Sequence, residues 1–272
     1  MARFDGKHFR GKIGKESYKV YRDQQIVSGQ STKTVFLRTE PMDRSSNLFG
    51  KVSTLNSYIR NNMSALFNDF YDGEMLGRLN SSTNFAMNSV FNQKELTFSF
   101  SPDTFNRLVG FEFNIKSPVA DVFLANLAVT YTEGNVSIVI PELTVSRQIE
   151  FPSSSTKCTI IFLRTHYDLE NGYEQESESK YLSVLKDNKL ALIPPQTIEF
   201  TTEPGCLCII GIALYFYKES FVGEVMTNSK DFNPVAIASA HITEGVHVLP
   251  VNGNWSEMIN AKGKIAKFKS SI

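Results

Sequence analysis

Along most of the chain, apolar residues recur at every second position. Leu96, Phe98 and Phe100 alternate with Thr97, Ser99 and Ser101, and the rhythm returns in Phe111, Phe113 and Ile115 and in Val136, Ile138 and Ile140. Side chains two apart in an extended chain share one face, so the pattern predicts strands with one buried side. Further strands are predicted over residues 122–132, 145–151, 158–167, 181–185, 197–201, 206–217, 235–242 and 246–251. Loops carrying Pro, Gly, Asn and Ser separate them, as at Pro152-Ser153-Ser154-Ser155 and Asn171-Gly172. Short strands at this spacing predict a mostly β fold. Residues 94–272 are expected to form an antiparallel β-sandwich, of jelly-roll or immunoglobulin-like kind.

The segment 46–93 breaks the rhythm. Leu48, Val52, Leu55, Ile59, Met63, Leu66 and Phe70 step by three or four, and Phe49 and Phe67 widen the stripe. This predicts an amphipathic helix over 46–72, with Ser45 or Ser46 as N-cap and Gly73 just past its end. A shorter helix is predicted over 84–92, capped by Thr83.

Residues 1–45 read as a basic extended arm. Two strands are predicted, 12–21 and 25–37, turning at Arg22-Asp23-Gln24. With Gly6, Gly11 and Gly14 present and few apolar residues, such an arm has no core of its own. Ordering a residue costs roughly 1–2 kcal/mol of backbone entropy, so the arm needs a larger apolar surface to lie on. The expected assembly interface is Ile13, Tyr18, Val20, Ile26, Val27 and Phe36 of the arm, with Leu48, Val52, Leu55 and Ile59 of the helix.

Composition sharpens this picture. The chain has 272 residues, 42% of them hydrophobic, enough for a sizeable core. Its 21 Phe and 10 Tyr stand against one Trp, and the Phe fall mostly at alternate positions, which favours sheet packing. Net charge is zero but uneven. The first 22 residues carry Arg3, Lys7, Arg10, Lys12, Lys15, Lys19 and Arg22 against Asp5 and Glu16, and the tail adds Lys262, Lys264, Lys267 and Lys269. The middle is acidic at Asp168, Glu170, Glu174, Glu176 and Glu178. Basic ends and an acidic waist attract copies of the same chain, or a polyanion. The start lacks the apolar stretch of a signal peptide. No apolar run approaches the roughly 18 residues of a membrane span. Three Cys without framework spacing point to a reducing compartment. A cytoplasmic protein, or a component of an assembled particle, is expected.

Candidate chemistry is sparse. Cys206 and Cys208 would share a strand face, but zinc needs two further ligands at sensible spacing. Their apolar surroundings read as core, so these two and Cys158 are expected to be reduced and metal-free. His241 and His247 flank Glu244-Gly245; a hairpin turning there would put them on different faces. His166 beside Asp168 is an acid–base pair without a nucleophile. GxSxG, HExxH, P-loop and GxGxxG patterns are absent, so no catalytic residue and no cofactor is assigned. Arg3, Lys7, Arg10, Lys12 and Lys15, interleaved with Phe4, Phe9, Tyr18 and Tyr21, suit a polyanion held by charge and stacking. No nucleic-acid module follows them, and this partner ranks second.

Residues 11–27, beginning Gly11-Lys12-Ile13-Gly14, are followed by a polar linker and then by residues 47–59. Together they resemble the N-terminal part of an uncharacterised Bacteroidota family of unknown function. That family shows a G-K-[IV]-G start, a short hairpin, an arginine, and a helix ahead of β-sandwich material. Residues 85–92 also fit, so the resemblance covers about the first 92 residues. Ser28-Gly29-Gln30 stands where the family has Arg-Ser-Lys-Pro. The resemblance implies an intracellular bacterial protein without assigned activity and transfers no catalytic residues. The leading functional expectation is a self-assembling structural subunit of a filament, tube or phage-like particle. A polymer-binding module, for nucleic acid or glycan, comes second and an unfamiliar enzyme third.

Overall fold

The computed structural model describes residues 2–21, 23–29, 38–186, 192–250 and 253–270. Two compact units emerge, Met1–Asp43 and Arg44–Ile272. The first holds β1 (Arg3–Phe4), β2 (Phe9–Ile13), β3 (Glu16–Tyr21) and β4 (Gln24–Gly29), which form a four-stranded antiparallel meander in chain order. Residues 12–21, predicted as one strand, are split. Ile13 pairs with Glu16 across Gly14-Lys15, where Gly14 takes a left-handed φ of 56° that costs glycine little. The next turn falls where expected, between Tyr21 and Gln24, with Asp23 left-handed. Strand β4 realises the predicted 25–37 strand as far as Gly29. Val35, Phe36 and Leu37 lie outside the described residues.

The chain continues through α1 (Glu40–Phe67), α2 (Met75–Ser89), β5 (Phe91–Asn92), β6 (Thr97–Phe98), α3 (Val119–Val122), β7 (Ala128–Thr132), β8 (Asn135–Ile140), β9 (Leu143–Thr144) and α4 (Val145–Gln148). Then come β10 (Lys157–Asp168), β11 (Tyr173–Leu185), β12 (Leu192–Ile193), β13 (Gln196–Thr201), β14 (Leu207–Ser220), β15 (Gly223–Met226), β16 (Val235–Ile242) and β17 (Trp255–Glu257). A six-stranded antiparallel sheet runs β15-β14-β10-β11-β17, with β16 on the same edge of β14 as β15. A smaller sheet runs β13-β8-β7.

Strand β14 explains the architecture. Its sequence does not alternate because both its faces are covered. Leu207, Ile209, Ala213 and Tyr215 join a core with α1 and α2. Cys208, Ile210, Ile212, Leu214 and Phe216 join a second core with Val136, Ile138, Ile140 and Phe200 of the small sheet. The central sheet is thus packed by helices on one face and by strands on the other. Gly211 faces the helical core, where a Cβ would stand 2.6 Å from Leu66 Cδ1 and 2.7 Å from Met63 Sδ. A glycine there is what lets α1 approach the sheet so closely.

The helical stripe packs inward. Leu48, Val52, Leu55, Ile59, Met63, Leu66 and Phe67 are buried, whereas Phe49 is exposed. Helix α1 starts earlier than predicted, which leaves Ser45 and Ser46 inside it, and ends at Phe67 rather than near 72. Asn68 and Asp69 take the left-handed conformations expected of Gly73, and Asn233 Nδ2 and the Tyr215 hydroxyl donate to the freed Phe67 and Leu66 carbonyls at 3.0 and 2.7 Å. Helix α2 begins well before 84. Thr83 is therefore no cap: it is buried and donates to Asn56 Oδ1 at 2.7 Å, tying the two helices together. The helical segment and the strands share one core and lie in the one unit Arg44–Ile272.

Other expectations also change. Residues 145–151 hold α4, and 122–132 hold the end of α3 before β7 begins. Phe111 and Phe113 are buried without a strand of their own, bridging instead near β16. Residues 246–250 form no strand. Strand β11 extends far to the N-terminal side of 181: residues 174–180 give no apolar signal, yet the backbone pairs with β10 on both sides of the bulge.

Candidate functional site

Two surfaces deserve a chemical reading, one in each unit. In the first, the pairing of Gly11 with Tyr18 and of Tyr18 with Val27 sets the faces of the arm sheet. Phe4, Phe9, Ile13, Tyr18, Val20 and Val27 fall on one face. The Phe4–Phe9 and Phe9–Tyr18 ring centroids, 4.8 and 5.8 Å apart, agree with this. Arg3, Arg10, Lys12 and Lys19 fall on the other, where Ile26 pairs with Lys19. The register therefore separates Ile26 from Ile13, Tyr18, Val20 and Val27 of the expected interface. Lys15 lies in the turn between β2 and β3, Lys7 is paired with Asp23, and Arg10 donates to Asp5 at 2.9 Å. Backbone N–H groups of His8 and Lys7 hold the Asp5 carboxyl low, at about 2. Leu48, Val52, Leu55 and Ile59 belong to the core of the second unit, so the helical half of the expected interface offers no surface.

In the second unit, a row of buried polar residues gathers where β10 ends. The register of β10 against β11 shifts between Arg164 and His166, a bulge that re-aims the strand. Arg164 Nη1 lies 2.7 Å from His166 Nδ1 and also bonds Gln175, and Nη2 reaches Glu178 at 3.1 Å. Burial, then the adjacent guanidinium, lowers the His166 pKa to about 3, so the ring is neutral and accepts from Arg164. His166 does not pair with Asp168, as the sequence suggested. Asp168 Oδ2 instead meets His247 Nδ1 at 2.8 Å and accepts from Asn171 Nδ2 at 2.8 Å, while Oδ1 accepts from the Asn171 backbone N–H at 2.9 Å. Asp168 is 1% exposed and His247 8%. Trp255 covers the imidazole with ring centroids 4.4 Å apart. His241 goes elsewhere, stacking on Tyr131 at 4.2 Å.

Asp168 and His247 border a cleft of about 440 Å³. Its lining includes the apolar Phe100, Leu169, Leu207 and Ile242 and the exposed Glu170 and Glu244. Sequence reasoning missed this pair because its members are 79 positions apart. It searched His247 for a partner across the Glu244-Gly245 turn instead.

The three cysteines are free and buried. Burial raises all three thiols, Cys208 to about 12. Among the described residues, no cluster of three or more His, Cys, Asp or Glu side chains could hold a metal ion, and no helix is long and apolar enough to cross a membrane. Compared with protein families, curated proteins and solved structures, the chain matches none.

Proposed function

We propose that this chain is a non-enzymatic structural subunit that joins copies of itself through the apolar face of its N-terminal arm, building a filament, tube or phage-like particle in the cytoplasm. The observation that carries the reading is the exposure of that face: Phe4 59%, Phe9 43%, Ile13 48% and Val27 51%. Fully burying such side chains is worth about 1.5–3 kcal/mol each, so covering several half-exposed ones returns several kcal/mol. Grouped on one face of a small sheet, they make a surface suited to a second copy. In this reading the central sheet and the β13-β8-β7 sheet, closing on one core, are the layers of a jelly-roll or immunoglobulin-like sandwich. The test is light scattering on the full chain and on a Phe9→Lys/Val27→Lys double variant. Wild type should assemble, the double variant should remain monomeric, and Lys12→Glu on the opposite face should assemble as wild type does. Assembly by the double variant would remove the role given to this face.

A second reading rests on the other face. Arg3, Arg10, Lys12 and Lys19 suit a polyanion such as nucleic acid. Tight DNA binding that weakens steeply with salt and is abolished by Lys12→Gln/Lys19→Gln would put it first.

A further inference from the structure

One flank of the six-stranded sheet is left open. Strand β11 pairs with β10 along one side, from Tyr173 to Leu185. On its other side β17 covers only Tyr173 to Gln175, and the Asn254 carbonyl accepts the Glu176 N–H. From Ser177 to Leu185 that side has no backbone partner among the described residues. The Lys186 N–H donates into the sheet, to the Thr156 carbonyl, and backbone direction alternates along an antiparallel strand. Ser179, Tyr181, Ser183 and Leu185 therefore aim their N–H and C=O groups outward. A groove of about 570 Å³ lies beside them, lined by residues 179–181 of β11 and 197–199 of β13.

Little blunts this edge. Residues 179–185 hold no Pro or Gly, and their one charge, Lys180, is engaged toward the small sheet: Nζ donates to the Glu199 carbonyl and lies 5.0 Å from the Phe200 ring centroid. Tyr181 is 72% exposed and Leu185 70%, four positions apart on one face of the strand. Such an edge takes an extended strand whose backbone completes the ladder. The arm offers one. Its sheet also ends on an open strand, since β4 pairs with β3 alone among the described residues, and the exposed Val27 lies on its apolar face. Charge favours the same match. Strand β11 carries Glu174, Glu176 and Glu178 against Lys180, opposite in sign to the arm's Arg3, Arg10, Lys12 and Lys19. Because arm and edge are unlike surfaces, their contact is heterologous. Each copy offers an arm to one neighbour and an edge to another, which is how open filaments grow.

We propose, on the footing that the arm joins copies of the chain, that its receptor is this edge: β4 of one copy adds to the open side of β11 in the next, with Val27 beside Tyr181 and Leu185. Sedimentation velocity on two complementary variants tests it. Phe9→Lys/Val27→Lys spoils the arm and leaves the edge. Ser183→Pro spoils the edge and leaves the arm, because it removes an outward N–H and none that bonds β10. Should Ser183→Pro lose its native circular dichroism, Tyr181→Lys/Leu185→Lys takes its place, both side chains being exposed. Each variant alone should sediment as the 30.6 kDa chain. Mixed in equal amounts, they should give a species of twice that mass and none larger, since one intact arm meets one intact edge. Assembly of the edge variant on its own, or a mixture that stays at 30.6 kDa, would overturn the assignment of the edge and leave the arm's role standing. Assembly of the arm variant on its own would overturn the arm's role, and this assignment with it.

Discussion

Glu112→Gln should change how stability depends on pH, and by an amount the structure sets. Glu112 lies between α2 and α3 in the chain, where Oε1 accepts the Val119 N–H at 3.0 Å and Oε2 has no hydrogen-bond partner among the described residues. Burial is the main reason its pKa rises from 4.5 to about 7, against the opposing pull of the Val119 N–H and Arg78. The folded state therefore binds a proton that the unfolded state has lost between these pH values, and stability falls as pH rises through that window. At about 1.4 kcal/mol per tenfold, the loss between pH 5 and 8 is about 2.5 kcal/mol. His166 works in the opposite direction. Its pKa falls from 6.5 to about 3, so the unfolded state binds the extra proton and stability grows as pH rises toward 6.5. Between pH 5 and 8 that gain is about 2 kcal/mol, nearly offsetting the loss from Glu112. Glutamine keeps the acceptor for Val119 and removes the titration. The stability advantage of the variant over wild type, from urea unfolding at both pH values, should therefore grow by about 2–3 kcal/mol between pH 5 and 8. An advantage of equal size at both would refute the burial of an ionisable Glu112.

Three further outcomes follow from packing. Gly211→Ala should lower the urea midpoint, with a cost of about 1–3 kcal/mol from overpacking against Leu66 and Met63, and Leu66→Ala in the same chain should recover part of it. Asn233→Ala leaves the Phe67 carbonyl and the Asn228 Nδ2–H, which now bonds Asn233 Oδ1 at 2.8 Å, without their partner. It should cost about 1–3 kcal/mol in the same assay. Cys158, Cys206 and Cys208, buried with raised thiols, should resist iodoacetamide in native protein and react fully in urea, as read by intact-mass spectrometry.

The sequence was most informative where one periodicity governed a whole element. Strand β16 matched its predicted bounds, and β8, β10, β13 and β14 came within a residue or two at most ends, because their apolar faces look onto cores. Prediction failed where long-range partners set local structure. Val145–Gln148, read from the sequence as the start of a strand, forms a helical turn, with the Gln148 side chain accepting the Thr144 N–H at 2.5 Å. Strand β11 is held by backbone pairing and its first half carries polar side chains, so that half was invisible to an apolar scan. On the arm, adjacent Ile26 and Val27 face opposite sides of β4, and only the pairing register assigns Val27 rather than Ile26 to the face of Tyr18. The cleft was illegible for a similar reason: Asp168 and His247 meet only after β10 and the 243–250 segment have been brought together.

The central claim, self-assembly through the arm, is tested most directly by sedimentation velocity on the unmodified chain over rising concentration at physiological salt. Growth of the sedimenting species above the 30.6 kDa of one chain, reversed by Phe9→Lys/Val27→Lys, is the predicted result. A species that stays at 30.6 kDa up to the highest attainable concentration would contradict it.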